Sequence, residues 1–207
     1  MVSLDICVYY ISSDYNPYPC VRIPAFGDAF ASMALVDGAD DRDADALACG
    51  LPTNVFVRPA GSREPADVVD EVLDALRIDA LRRSHALRAP RDRLRVTLAA
   101  YAMDLLYRFA NEPRCETKSG AMKRAMEDAL GRFACPGDAD YDLASVCAAP
   151  RTDEERERYR RFVRRCREAI AVRMVERCYV AEDGTRDKFW MAFARRRFLN
   201  RPPPKIS

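Results

Sequence analysis

Among the side chains that could hold a metal ion or carry a nucleophilic reaction, the chain has eight cysteines and one histidine. The cysteines are Cys7, Cys20, Cys49, Cys115, Cys135, Cys147, Cys166 and Cys178, and no two lie closer than 12 residues apart. Zinc sites bring their ligands in close pairs such as Cys-x-x-Cys, and none occurs, so no metal site is expected. The thiols read as reduced, acting as small apolar side chains. His85 sits in Arg82-Arg83-Ser84-His85 between two predicted helices and reads as a surface loop residue. A Cys–His pair formed in space stays open at this point, because base and nucleophile meet in the fold rather than along the chain. Adjacent carboxylates, Asp40-Asp41 and Asp70-Glu71, read as solvated charge. Glycines are few and isolated, and neither Gly-x-Gly-x-x-Gly nor a P-loop is present. No catalytic residue, no cofactor and no metal ligand is expected, and the protein is not read as an enzyme.

Charge is the stronger signal. The formal net charge is only +2, but residues 151–207 hold 17 basic and 9 acidic groups, against 17 and 23 in the remainder. A chain polarised in this way presents a binding face to an acidic surface. Arginine supplies 30 of the 34 basic residues, and its planar fork suits protein interfaces as well as phosphates; coding bias explains the ratio equally well. Arg160, Arg161, Arg164, Arg165 and Arg167, with Arg195 to Arg197, could track a phosphate backbone. Against that, Glu154, Glu155, Glu157 and Glu168 interleave with the run, and no helix-turn-helix, finger or RNP-type pattern is found. No nucleic acid is expected as a partner, and a nucleic-acid-binding helical protein stands as the alternative function.

These side chains need a framework. At 207 residues with 49% hydrophobic content, the chain can bury a substantial core in one domain, with or without an irregular arm. The longest uncharged apolar stretch, Val96 to Met103, is far short of the roughly 20 residues of a membrane span. No basic residue precedes Arg22 and Asp5 is acidic, unlike a signal peptide, so the expectation is a soluble, cytoplasmic protein with no membrane span.

The first 63 residues read as an irregular, proline-containing arm. It has a β-favouring cluster from Met1 to Ile11, then Pro17, Pro19 and Pro24. A short helix or extended piece follows from Phe26 to Leu35, an acidic loop from Asp37 to Asp45, and a short strand over Asn54–Val57 before Pro59 and Gly61. From Glu64 the period becomes helical, with Pro65 suited to a first turn. Val68, Val69, Val72, Leu73, Leu76 and Leu81 make one apolar stripe to about Arg83. A second helix is predicted from about Asp92 to Ala110 on Leu94, Leu98, Tyr101, Ala102, Leu105, Leu106 and Phe109, and a third from about Ser119 to Phe133. Thr152-Asp153-Glu154-Glu155 predicts a capping box opening a fourth helix. Pairs at i,i+4, Glu154 with Arg158 and Glu157 with Arg161, support it. After a turn at Glu182-Asp183-Gly184 a last helix is predicted from about Arg186 to Asn200, with a proline-rich tail over 201–207. The fold class is all-α, a compact bundle of about five helices.

The last of these segments also carries a likeness. Lys188-Phe189-Trp190-Met191-Ala192-Phe193-Ala194-Arg195-Arg196-Arg197-Phe198-Leu199-Asn200 resembles the end of subunit 3, the 21-kDa class subunit, of the actin-related protein 2/3 complex. That family closes on Lys-aromatic-Trp, a Phe three on, then a basic cluster and Phe-x-Asn. Val69-Asp70-Glu71, Asp92-Arg93, Tyr101, Phe133-x-x-Pro136-Gly137, Leu143, Ala148-x-Pro150 and Met33-Ala34-Leu35 follow the family in order, and residues 68–200 align. Departures are Val36-Asp37 in place of a proline, a longer Gly38–Ser62 segment, and Asp74, Ala75 and Arg82 where aromatics are common. The resemblance implies a five-helix domain, residues 64–200, with one helix surrounded by the rest. It implies a non-catalytic structural subunit that supports nucleation of branched actin filaments. The implied partners are the actin-related protein 3 subunit, the other members of a seven-subunit complex and the actin filament, at the cytoskeleton. Trp190, Phe193, Arg195, Arg197 and Phe198 are the expected partner contacts, since aromatics beside arginines are typical of interface hot spots. Burial of Trp190 and Phe193 as plain anchors of the last helix is the competing reading, which would leave the arginines as the contacts.

Overall fold

A computed structural model of the chain describes residues 47–58, 66–81, 85, 87–180 and 184–204. The chain divides into two units, 1–41 and 42–207, and every described residue belongs to the second. Expectations for Met1 to Asp45, Pro59, Gly61, Glu64, Pro65, Arg82-Arg83 and Glu182-Asp183 lie outside the described residues.

Five α-helices carry the described fold: α1 Val68–Leu81, α2 Pro90–Asn111, α3 Lys118–Leu130, α4 Asp153–Cys178 and α5 Lys188–Phe193. A two-residue hairpin precedes them, β1 Leu47–Ala48 and β2 Leu51–Pro52, with Leu47 opposite Pro52 and Ala48 opposite Leu51. The strand expected at Asn54–Val57 does not form; pairing sits one segment earlier. The reason is the turn: Cys49 (φ 54°) and Gly50 (φ 81°) both adopt left-handed backbone, the geometry a two-residue antiparallel hairpin requires. Cys49 has no glycine freedom, and its conformation is held from outside. Its N–H donates to Glu155 Oε1 (2.8 Å) and its carbonyl accepts from Ala148 N (3.1 Å).

α2 is the axis of the bundle. Leu94 and every residue from Val96 to Met103 are buried, as are Leu105, Leu106 and Phe109, because α1, α4, α5 and β2 pack around it. The predicted stripe was one face of a helix that is covered on several. α3 lies chiefly on α4. Six described cysteines are free and buried in or against this core. Burial pushes the Cys166 and Cys178 thiols up to about 12, and burial with the nearby Glu155 does the same for Cys49.

Helix starts follow the cap rules, with two adjustments. α1 begins at Val68 because the Asp67 carboxylate accepts from Val69 N and Asp70 N, each 3.0 Å. At α4, Thr152 Oγ1 accepts from Glu155 N (3.1 Å), but the Glu155 carboxylate does not close the expected box. It accepts instead from Arg151 N (2.6 Å) and Cys49 N, which joins α4 to the hairpin. Along α4, Glu157 pairs with Arg160 at i,i+3 (2.9 Å), one position nearer than expected.

The last helix departs most from expectation. α5 ends at Phe193, a turn covers Ala194 to Arg196, and a 3-10 turn spans Phe198–Asn200, with Leu199 at φ 55°. Consecutive helical residues are about 100° apart, so Arg195, Arg196 and Arg197 would sweep about 200° of a continued helix. One of them would then face the core that Trp190 and Ala194 already contact. Breaking the helix keeps all three guanidiniums outside and returns Phe198 to the interior.

Candidate protein-interaction surface

The segment from Asp187 to Pro204 is positioned by three anchors. Asp187 N donates to Cys178 O (2.7 Å), and the Asp187 carboxylate caps α5 at Phe189 N (2.7 Å). Trp190 is 4% exposed and packs with the core, as does Phe198 at 5%. Phe198 also meets His85, ring centroids 5.0 Å apart, so His85 is not the surface loop residue expected; it is half-buried against the C-terminal segment. Arg201 supplies the third anchor, with Nη2 on Asp104 (2.8 Å, α2) and Nε on Asp142 (2.7 Å) in the 131–152 connection. Burial pushes the Asp104 carboxyl up, and Arg201 opposes the shift.

The five residues named from the sequence therefore divide. Trp190 and Phe198 are core anchors, and Phe193 is half-buried. Arg195 and Arg197 are exposed, as is Arg196, and none of the three makes an ion pair with another described residue. Two residues that sequence reasoning passed over join the surface. Phe189 is 51% exposed and stands edge-on to Phe193 (5.5 Å between centroids). Arg77 of α1 lays its guanidinium 4.1 Å from the Phe189 ring centroid and 4.3 Å from that of Trp190. Burial lowers the Arg77 pKa, and Arg177 nearby adds to that, while Asp187 opposes it. No local signal links residues 77 and 189; only the fold brings them together. Beside this platform the arginine turn and Pro202–Pro204 rim a hollow of about 320 Å³ floored by α2. Among the described residues, no cluster of three or more His, Cys, Asp or Glu could hold a metal ion, and no helix is long and apolar enough to cross a membrane.

Residues 48–202 match the family model described as ARP2/3 complex ARPC3 (21 kDa) subunit. The chain belongs to this family. Its match begins at Ala48, twenty residues before the stretch recognised from sequence, and so takes in the hairpin clipped to Glu155. Actin-related protein 2/3 complex subunit 3 of Saccharomyces cerevisiae is 30% identical over 178 residues, covering 84% of this chain and 98% of that protein. The Arabidopsis thaliana subunit 3 is 26% identical over 166 residues (77% and 93%), and that of Dictyostelium discoideum 25% over 143 residues (69% and 80%). All three are named as subunits of a complex rather than as enzymes. The five-helix architecture with a surrounded α2 agrees with what the family resemblance implied.

Proposed function

We propose that this chain is a non-catalytic structural subunit of an actin-related protein 2/3 complex. It supports nucleation of branched actin filaments by packing against the actin-related protein 3 subunit and the branch junction, within a seven-subunit complex at the cytoskeleton. The observation that carries the reading is the family match across residues 48–202, nearly the whole helical unit. The C-terminal segment fits a docking role by its chemistry. Core anchors Trp190 and Phe198 hold it in place, while Phe189 and Phe193, with Arg77 stacked on Phe189, offer an aromatic platform beside exposed arginines. Aromatic rings beside Arg, held at low conformational cost, are favoured at interface centres. In this reading Arg195 and Arg197 face acidic patches of the actin-like partner or filament.

The test is purification of the tagged chain from its own cells at moderate salt, followed by mass spectrometry. Two actin-related proteins and the other small subunits in equal amounts are expected. Nucleic acid and its binding proteins, lost as salt rises, would contradict the reading, and so would a lone monomer. Charge reversal, Arg195→Glu with Arg197→Glu, should weaken incorporation or branching with helicity intact; unchanged incorporation and branching would remove these two arginines from the interface.

A further inference from the structure

We infer that the hollow beneath the arginine turn is a binding site for a small ring compound carrying several phosphate groups. This goes beyond the docking reading and does not rest on it, although the two share Arg195 and Arg197. Three features distinguish the hollow from a flat basic patch. First, its rim is built from three consecutive arginines, all exposed and none ion-paired with another described residue. The fourth arginine of the lining, Arg201, is bonded to Asp104 and Asp142. Among the described residues no carboxylate pairs with these three guanidiniums, and each offers a planar fork that matches a phosphate through two parallel hydrogen bonds.

Second, the nearest carboxylate does not oppose an anion. Asp104 lies in the lining, but it is engaged by Arg201 at 2.8 Å, a cation it shares with Asp142. Third, the hollow has volume and an apolar side. Its volume of about 320 Å³ falls at the small end of the range for small-molecule sites, and it is walled by Met103 and the rigid Pro202–Pro204 run, with Tyr107 adding a hydroxyl. An acidic protein surface would meet the exposed guanidiniums without filling that space. A compact ring fills it while its phosphates reach the rim. Such a ligand occurs in two forms, free in solution or as the headgroup of a phosphorylated lipid, and the chemistry at the rim is common to both.

Isothermal titration of the full-length chain with inositol hexakisphosphate forms one arm. Co-sedimentation with vesicles containing phosphatidylinositol 4,5-bisphosphate forms the other, with phosphatidylserine vesicles of matched charge as reference. One saturable site per chain is expected. The variant R195S/R196S/R197S should weaken it by at least about tenfold, through loss of the bidentate contacts. R161S/R164S/R165S removes as many exposed arginines from the outer face of α4 and should leave binding nearly unchanged. Binding of the soluble polyphosphate alone assigns the site to a free compound; vesicle binding that the soluble polyphosphate displaces assigns it to a headgroup. Absence of binding in both arms overturns the proposal. Equal loss in the two triple variants also overturns it, as does equally tight binding to phosphatidylserine vesicles, since either would mean charge without a site. These measurements use the chain alone, so their failure is separable from failure of docking, which is read in the assembled complex.

Discussion

Asp67 does two things with one carboxylate. Oδ1 caps the first turn of α1, and both oxygens receive the fork of Arg173 from α4, at 2.6 and 3.0 Å. Arg173 Nη2 also donates to Arg58 O (2.7 Å), while Arg58 N donates to Asp67 Oδ2, so three parts of the chain converge on one buried ion pair. Both partners are largely removed from water, and breaking such a pair from one side strands the other charge. Asp67→Asn should therefore lower the unfolding free energy by about 3–5 kcal/mol in urea titration. Replacing both partners, Asp67→Asn with Arg173→Met, should cost less than the two single substitutions summed. Strict additivity in that cycle would show that the pair is not coupled. Gly120 is a second single-residue constraint. A Cβ there would lie 1.8 Å from the Arg114 carbonyl oxygen, which is backbone and cannot swing aside. Gly120→Ala gains helix propensity elsewhere, but here it should destabilise by about 2–3 kcal/mol through overpacking. A melting temperature at or above that of the parent chain would refute the close approach.

Between elements, Glu155 is the informative residue. Its carboxylate is held below the usual range by the Arg151 N–H, against the cost of burial, with the Cys49 N–H adding to the effect. It thus serves the start of α4 and the left-handed turn of the hairpin at once. Thr152→Ala removes one cap and should cost about 1 kcal/mol. Glu155→Ala should cost more and should speed hydrogen exchange at residues 47–52, whereas Thr152→Ala should leave exchange there unchanged. Equal exchange in the two variants would separate the hairpin from α4. The same residue shows what the sequence could disclose. Thr152 and Glu155 at the right spacing announced a helix start, and that was correct, because capping is local. Where the Glu side chain would go depended on Cys49, 106 residues away, and no pattern in the chain encodes it. Helices α1 to α4 were legible because apolar stripes at helical spacing are local signals. The sequence predicts too long a last helix because a stripe of aromatics continues through Phe198, while the break arises from which side of that stripe the core lies on. Of the expected contacts, composition points correctly to the exposure of Arg195 and Arg197, but Trp190 and Phe198 are interior. Phe189 and Arg77 surfaced only when α1 and α5 came together.

For the molecule as a whole, the charge asymmetry read from the sequence is met in part by ion pairs within the fold. Arg156, Arg160, Arg167, Arg173, Arg177 and Arg201, all from the basic C-terminal part, are bound to carboxylates within the fold. Outside that part the pattern repeats at Glu112, 1% exposed in its side chain and bonded to Arg108 (3.1 Å), Arg114 (2.9 Å) and Arg124 (2.8 Å). Arginine serves this fold first as a staple between elements, and exposed guanidiniums stand at the arginine turn and on the outer face of α4. This predicts how stability responds to acid and to salt. Burial works against ionisation of Asp67 and Glu112, but the hydrogen bonds of Arg173 on one, and of Arg114, Arg124 and Arg108 on the other, hold both carboxyls below their ordinary 3.8 and 4.5. A depressed folded pKa gives stability that is complete above those ordinary values and is lost as pH falls through the lower folded ones. Stability should accordingly change little from neutrality to about pH 5 on account of these two groups, then fall steeply below about pH 4. Glu112→Gln should be less stable at neutral pH yet show a shallower acid limb, and a limb identical to the parent's would show that Glu112 is not held by its three arginines. Salt separates the two uses of arginine. Exposed charges are screened beyond about 8 Å at physiological ionic strength, whereas buried pairs are screened far less. Raising salt should leave the melting temperature nearly constant while weakening any association that runs through Arg195 to Arg197. A melting temperature that drops in step with association would mean the staples are solvated surface pairs, and the division of arginines between core and partner would not hold.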